Sequence, residues 1–568
     1  MDVARARRER GVDRRRLLLV AASLGLIVFG GYRYLSEFHT MQLEVPLAPL
    51  SVRSDLSRSD SLPSTPGALA GRNVLLVTLD TTRPDRIGCY GNSAIETRNI
   101  DRLAASGVVF TNALATSPVT LPTHASILTG LYPHRHEARD NALYRLSSEH
   151  TTLAEVLSAH GYVTAAFVSS FVLDARFGLA QGFDHFDDYT GRRSSVTGNA
   201  ERRADETTDR ALAWLSRERR RPFFLWVHYY DPHVVYKPPV EVEDRAENPY
   251  DGEIVFVDQQ LGRLLDAVAA ATAGRALVVL TADHGEALGE QGEWTHGYLL
   301  QEATLRIPLI MSAPGGLGRG FRFDKRVSQV DLMPTLLALL GIPAPTDLDG
   351  VDLLARPGTA RPVLAEAHSG HANYGWARLA AIYRGSHKYV DGPVPELYDL
   401  DRDPLAHHNL AGEQRALAAD LRRQLRALRG PNAELLPPPA FELNPGDVER
   451  LQALGYAAGG LPEARDGLEG PDPKAMLPTM NRLLSLMGAL EEGTGRSRTL
   501  RWLASLRGSP SPRTVAELIH ELEVLAAEQP DFAPVHHYLA KFYELEGRHD
   551  AARDAEKRFE DVILGYTH

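Results

Sequence analysis

The sequence predicts an α/β protein built on a mostly parallel sheet, and three observations predict it. First, Val74-Leu75-Leu76-Val77-Thr78-Leu79, Phe223-Phe224-Leu225-Trp226-Val227 and Ala276-Leu277-Val278-Val279-Leu280-Thr281 are near-continuous apolar runs of strand length. Such runs are expected of strands buried on both faces. Second, helical periodicity fills the intervals, for instance Leu153 to His160 and Asp258 to Ala271. Strands alternating with helices imply a parallel sheet covered on both sides. Third, each run ends on residues that can do chemistry: Asp80, then His228-Tyr229-Tyr230-Asp231-Pro232-His233, then Asp283-His284-Gly285-Glu286. In open α/β sheets the carboxyl ends of the strands line the ligand crevice.

The chain starts outside that fold. Seven arginines (Arg5, Arg7, Arg8, Arg10, Arg14, Arg15 and Arg16) precede an uncharged run from Leu17 to Tyr32. A spanning helix needs about 20 apolar residues, and about 17 can suffice. Residues 1–16 therefore read as a basic cytoplasmic segment and residues 17–34 as an uncleaved signal anchor. Arginines stay inside, which places the rest of the chain on the extracytoplasmic side of a single-pass membrane protein. Residues 35–72, with Ser and Pro and little periodicity, read as a linker. The formal net charge of −11 argues against a nucleic-acid partner. The single cysteine, Cys89, excludes an intramolecular disulfide.

Residues 73–443 read as the catalytic domain. After the Asp80 strand comes Thr120-Leu121-Pro122-Thr123-His124-Ala125-Ser126-Ile127-Leu128-Thr129-Gly130. Pro122 suits the first turn of a helix, where a missing N–H costs nothing. Thr120 is thus a hydroxyl nucleophile at a helix N-terminus, whose free N–H groups favour an anionic ester. Asp80, Asp283 and His284 are hard or borderline ligands for a divalent cation. A cation beside Thr120 would lower the proton affinity of its hydroxyl. His233 and His296 are read as second-site ligands, substrate contacts or proton donors, and Asp231 as a possible further ligand.

These residues sit in motifs that resemble the sulfatase family of the alkaline phosphatase superfamily. The resemblance runs from Asn73 to about Asn409. It rests on Asn73 to Asp80, Gly88-Cys89-Tyr90-Gly91, Asn99 to Ala104, Leu128 to His136, Asp231-Pro232-His233, Asp283-His284-Gly285, Arg306 to Ile310, Asp331 to Leu337 and Leu397 to Pro404. It implies a large α/β sandwich, one or two divalent cations (calcium, zinc, manganese or magnesium) and ester hydrolysis. The sequence also departs from the family pattern. Usual sulfatases carry a Cys or Ser that becomes formylglycine, followed by x-Pro-x-Arg. Here those positions are Thr120 and His124, the second consecutive aspartate is Thr81, and the basic residue after Leu-Thr-Gly is Leu131. The threonine is similar to that of nucleotide pyrophosphatase/phosphodiesterases and of membrane-bound phosphoethanolamine and glycerol-phosphate transferases. By that resemblance Asp80, Thr120, Asp283 and His284 form a metal site, and Asn141 with His124 contacts the oxyanion.

Residues 444–470 read as a second linker. Residues 471–568 read as a small helical module: Leu518, Leu522 and Leu525 mark one face, and His536, Leu539, Ala540, Tyr543, Gly547, Ala552 and Phe559 recur at tetratricopeptide-like spacing. So small a unit buries little surface alone, so packing on the catalytic domain or self-association is expected, with a protein partner as the alternative. The expectation for the whole is a metal-dependent sulfatase-family hydrolase that cleaves a small-molecule, glycan or lipid sulfate or phosphate ester through a threonine. The alternatives are a phosphodiesterase or phosphoryl-group transferase acting on lipid or glycan headgroups, and a catalytically silent relative that binds partners through its helical repeat.

Overall fold

The computed structural model describes residues 48, 50, 57–59, 62–141, 144–190, 201–217, 221–234, 236–354, 361–430, 433, 470–493 and 514–565. The expected anchor at 17–34 and nearly all of the second linker lie outside these residues. Among the described residues, no helix is long and apolar enough to cross a membrane.

A ten-stranded sheet dominates. Its edges are β1 (Ser57–Ser59), next to β9 (Phe321–Phe323), and β5 (His185–Asp187), and β10 (Val327–Ser328) pairs with the strand Val108–Leu114. Its centre is β6 (Phe223–Tyr229), β2 (Val74–Leu79) and β7 (Leu277–Ala282), all parallel. Their side chains are buried throughout, as expected when helices cover both faces. On one side β4 (Val163–Phe167) continues the parallel order. On the other, β8 (Arg306–Ser312) runs antiparallel to both β7 and β3 (Val108–Leu114). A second sheet of four antiparallel strands follows: β11 (Val363–Ala367), β12 (Leu379–Arg384), β13 (His387–Asp391) and β14 (Glu396–Asp399). It packs on the helix Arg415–Arg429, whose Leu421 and Leu425 meet Ile382 and Tyr389.

Register places the site. Leu79 pairs with Tyr229 on one side and Ala282 on the other. The next residues, Asp80, Tyr230 and Asp283, therefore emerge at one level from three neighbouring strand ends. The chain then turns sharply, because Thr81 takes φ 45°, a left-handed conformation unusual for a β-branched residue. Thr81 is held there by its N–H, which donates to Asp283 Oδ1 at 3.1 Å, and by its carbonyl, which accepts from the Tyr250 hydroxyl at 2.7 Å.

The C-terminal helices are Pro473–Gly493, Val515–Glu528, Ala533–Leu545 and His549–Gly565. Thr514 caps the second of them in a reciprocal pair with Glu517. Leu518, Leu522 and Leu525 form one buried face, as their spacing predicts. That face joins Phe532, Leu539 and Met480 in a cluster that includes Tyr374 and Trp376 of the catalytic domain. The module is thus packed on the domain that precedes it.

Candidate active site

Thr120 opens the helix Thr120–Thr129, after the extended Val119. Pro122 lies in the first turn, where its missing N–H leaves no helix bond unmade. Gly130, at φ 70°, closes the helix with its N–H on Ser126 O at 2.9 Å. Asn141 fixes the start: its Oδ1 accepts from Leu121 N–H at 2.8 Å. The expected oxyanion residue therefore stands at the mouth of the nucleophile helix, one position from Thr120.

Across from Thr120 stand Asp80, Asp283 and His284, all fully buried, with ligand atoms within 4.8 Å of one another. His284 Nδ1 donates to the Gly285 carbonyl at 2.9 Å, which leaves the Nε2 lone pair facing the group. That Nε2 lies 3.5 Å from Thr120 Oγ1, 3.5 Å from Asp283 Oδ2 and 3.8 Å from Asp80 Oδ1. Asp283 Oδ1 is occupied, accepting from Thr81 N–H at 3.1 Å and His284 N–H at 2.7 Å. Its Oδ2 and both carboxylate oxygens of Asp80 are buried with no hydrogen-bond partner. Burial pushes Asp80 up to about 8, with Glu286 adding to the shift and His296 opposing it. Burial, with the charge of Asp80 beside it, also pushes Asp283 well above the ordinary carboxylate range. Orphaned carboxylate oxygens in so buried a place are costly unless a cation compensates them. Two carboxylates, one imidazole and one hydroxyl suit a divalent cation, so the donor set fits.

A second group, His124, His228 and Asp283, is equally close, but the His124 imidazole is committed. Trp226 Nε1 donates to Thr78 Oγ1 at 3.0 Å, and Thr78 Oγ1 lies 3.0 Å from His124 Nε2. The Thr120 carbonyl only accepts, so the proton of the neutral ring is on His124 Nδ1 and the bare Nε2 accepts from the Thr78 hydroxyl. His124 Nδ1 donates to Thr120 O at 2.7 Å. Burial, with His228 adding, keeps His124 neutral. Both nitrogens of His124 are spent on protein partners, so the side chain expected to meet the oxyanion instead braces the nucleophile turn from beneath. His228 Nδ1 accepts from Ser169 N–H at 3.3 Å, which puts its proton on Nε2, 3.4 Å from Asp80 Oδ2.

His296 and His233 meet His284. The His284 and His296 ring centroids are 4.4 Å apart and those of His233 and His296 5.2 Å. His296 Nδ1 is 3.0 Å from Glu286 Oε1. Burial opposes charge on His296, but Glu286 first, and then Asp80 and Asp283, outweigh it and raise it to about 9. The ring is an imidazolium at neutral pH. Glu286 is itself fixed by the Tyr236 hydroxyl at 2.8 Å. His233 is neutral through burial and donates Nδ1–H to Val234 O at 2.6 Å, which leaves Nε2 as an acceptor.

Asp231 stays out of the Asp80–Asp283–His284 group. Its Oδ2 accepts from Ala204 N–H at 2.8 Å, which caps the helix Ala204–Leu215, and its neighbours are the carboxylates of Glu201 and Glu253. An Asp beside a helix N-terminus finds a partner there, so Asp231 Oδ2 is engaged at Ala204 N–H. Two participants, Glu286 and His228, carry no assigned role in the sequence reading, although both lie in the strand-end clusters it names. Glu286 follows from its place after Asp283-His284. His228 is the penultimate residue of its strand, and only the register sets it beside Asp80.

With this geometry in hand, the chain compares with known proteins as follows. The family model described as Sulfatase matches residues 72–342. An uncharacterized sulfatase of Escherichia coli strain K12, YidJ, is 27% identical over 430 residues, covering 62% of this chain and 85% of that protein. Human arylsulfatase A is 26% identical over 465 residues, covering 66% of this chain and 90% of the relative. Among solved structures, a phosphonate monoester hydrolase of Agrobacterium radiobacter superposes with a TM-score of 0.53 at 23% identity, covering 64% of this chain and 98% of that one. At that identity the superposition speaks to fold.

Proposed function

We propose that this chain, whose residues 72–342 match the Sulfatase family model, is a sulfatase or related ester hydrolase that cleaves a sulfate or phosphate ester by in-line attack of the Thr120 oxygen. The observation that carries this reading is the position of Thr120 Oγ1 at 3.5 Å from His284 Nε2, beside buried carboxylate oxygens of Asp80 and Asp283 that accept no hydrogen bond. Asp80, Asp283, His284 and Thr120 would hold a divalent cation. When bound, that cation supplies Lewis-acid polarisation of the ester and lowers the proton affinity of the neighbouring hydroxyl.

The protein's own groups do the rest. Thr120, its hydroxyl proton given up to solvent before attack, forms an oxygen bond to sulfur or phosphorus as the bond to the leaving alcohol breaks. His296, held protonated by Glu286, gives its proton to that alcohol oxygen. The neutral His296 then takes a proton from water as water attacks the Thr120 ester, so that His296 is protonated again and Thr120 leaves as the alkoxide that began the cycle. His233 Nε2 accepts a hydrogen bond from the substrate side.

The threonine favours phosphorus chemistry over that of a formylglycine sulfatase, so phosphoryl transfer from a diester is the second reading. The unpaired Asp80 and Asp283 oxygens speak against a silent relative, since each costs stability unless a cation is bound. The relatives include a hexuronate-2-O-sulfatase and an N-acetylglucosamine-6-O-sulfatase of Bacteroides thetaiotaomicron, and a glycan ester is the substrate class we infer. The arginine cluster and the uncharged run from Leu17 to Tyr32 support a membrane anchor with the catalytic domain outside the cytoplasm. The helix pair Ala533–Leu545 and His549–Gly565 supports a tetratricopeptide-like unit.

The test is turnover by purified full-length protein of an aryl sulfate, a phosphate monoester and a phosphodiester, each with zinc, manganese, magnesium or calcium. Metal-stimulated turnover of at least one is expected. Bound metal without turnover of any would contradict the reading. The same assay tests the acid. A histidine raised to about 9 keeps its proton up to that pH and loses it above. Glu286→Gln removes the largest opposing charge, so the alkaline limb of the pH–rate profile should move down toward neutrality. A limb that stays in place would exclude His296 as the proton donor.

A further inference from the structure

The turn that follows Asp80 is held by one side chain from a distant helix. Thr81, at φ 45°, crowds its Cβ against the carbonyl oxygen that follows, and a β-branched residue stays there only where its surroundings hold it. All three polar groups of Thr81 are used. Its N–H donates to Asp283 Oδ1 at 3.1 Å, its Oγ1 donates to Pro232 O, and its carbonyl accepts from the Tyr250 hydroxyl at 2.7 Å. The same Tyr250 oxygen accepts from Arg83 N–H at 3.0 Å. One phenol therefore spans the turn Thr81–Arg83, donating to its first residue and accepting from its last.

Tyr250 is the fixed end of this clamp. It lies in the first turn of the helix Pro249–Thr272, where the Asn248 side chain accepts from Asp251 N–H at 2.9 Å. Asp251 Oδ1 accepts from Arg86 Nε–H at 2.9 Å, and Glu253 Oε2 accepts from His233 N–H at 3.1 Å. The residues flanking Tyr250 thus tie the helix start to the loops that leave β2 and β6. The Tyr250 ring is buried and meets the Tyr236 ring edge-on, with centroids 5.3 Å apart. What the clamp governs is Asp283. Its Oδ1 takes the N–H groups of Thr81 and His284, and this pair fixes the plane of the carboxylate. Oδ2 is then the oxygen turned to the Asp80–His284 side, 3.5 Å from His284 Nε2.

We propose, on the cation reading above, that Tyr250 is a positioning residue for the metal site: its phenol holds Thr81 in the left-handed conformation and so fixes which oxygen of Asp283 faces the cation. A site whose ligands are already oriented binds without the cost of ordering them. Released from the phenol, Thr81 moves to a negative φ, the turn shifts, and the Asp283 carboxylate loses one of the two bonds that orient it.

The test is calorimetric titration of chelated full-length protein with manganese, repeated for Tyr250→Phe, Thr81→Gly and the double variant. Tyr250→Phe keeps the ring packing and should weaken binding by about tenfold, the size of one lost hydrogen bond. Glycine takes a positive φ with no Cβ to crowd, so in the presence of Thr81→Gly the same tyrosine change should cost only about twofold. A phenol that merely fills the core would be missed by the same factor in both backgrounds. If Tyr250→Phe alone does not fold, Thr81→Gly should restore folded protein that binds manganese, and a double variant that stays unfolded would overturn the proposal. Manganese binding that is unchanged in Tyr250→Phe, or weakened by the same factor with and without Thr81→Gly, would overturn the proposal and leave the cation reading standing. No binding of manganese, zinc, magnesium or calcium by the wild type would overturn both.

Discussion

Thr120→Ala is expected to reduce turnover by about 10³-fold or more, with folding and metal content little changed, because it removes the only atom proposed to form a bond to the reacting centre. Thr120 is one of four donors around the cation, and the two carboxylates carry most of the affinity. The methyl of alanine also preserves the helix, whose start is secured by Asn141 on Leu121 N–H and by His124 on Thr120 O. Thr120→Ser should keep substantial activity, since it retains the hydroxyl and loses only the methyl group that restricts the rotamer. An alanine variant with the wild-type rate would exclude the threonine mechanism.

Asp283→Asn should have the second large effect, on metal and stability in opposite senses. One of the two carboxylates in the donor set disappears, so cation affinity and turnover should fall together. The metal-free protein should become more stable, because a buried carboxylate beside Asp80 is repelled and desolvated. The pH dependence follows from the same shifts. Asp80 and Asp283 are raised above their unfolded values, so the metal-free folded state binds more protons than the unfolded state. Their contribution to its stability is therefore full below the ordinary carboxylate range and is lost as pH rises toward about 8, the value reached by Asp80. Buried histidines such as His124, His228 and His284, held below their ordinary range, contribute with the opposite sign, so the test compares two chelated proteins. The melting temperature of the wild type should fall relative to that of Asp283→Asn as pH rises from 5 to 8, and added divalent cation should reverse that difference. A difference that does not grow with pH would contradict the buried pair.

Much of this arrangement is legible in the residues alone, for a physical reason. Buried parallel strands must be apolar, so a carboxylate such as Asp80 or Asp283 marks where a strand leaves the core. Thr120 and Pro122 announce a helix start in the same way. What stays hidden depends on register and tautomer. His228 lies within an apolar strand, and only the pairing of Thr78 with His228 brings it beside Asp80. His124 occupies the position of an arginine in related sequences, yet its ring is drawn into the Trp226–Thr78 chain and faces the protein. Asp231 adjoins His233 in sequence but finds the N-terminus of the helix Ala204–Leu215. The C-terminal leucine face was readable from its spacing, whereas its partner, the aromatic patch at Tyr374 and Trp376, was not. Periodicity states that a face is buried without naming what buries it.

The account stands most directly on the bond to Thr120. Full-length enzyme turning over its preferred ester should be quenched in acid within the first turnovers, and the peptide that contains residue 120 analysed by mass spectrometry. A sulfuryl or phosphoryl group on Thr120 that disappears in Thr120→Ala and decays as product forms is the predicted result. Turnover with that peptide unmodified throughout, and with the alanine variant equally fast, would contradict it.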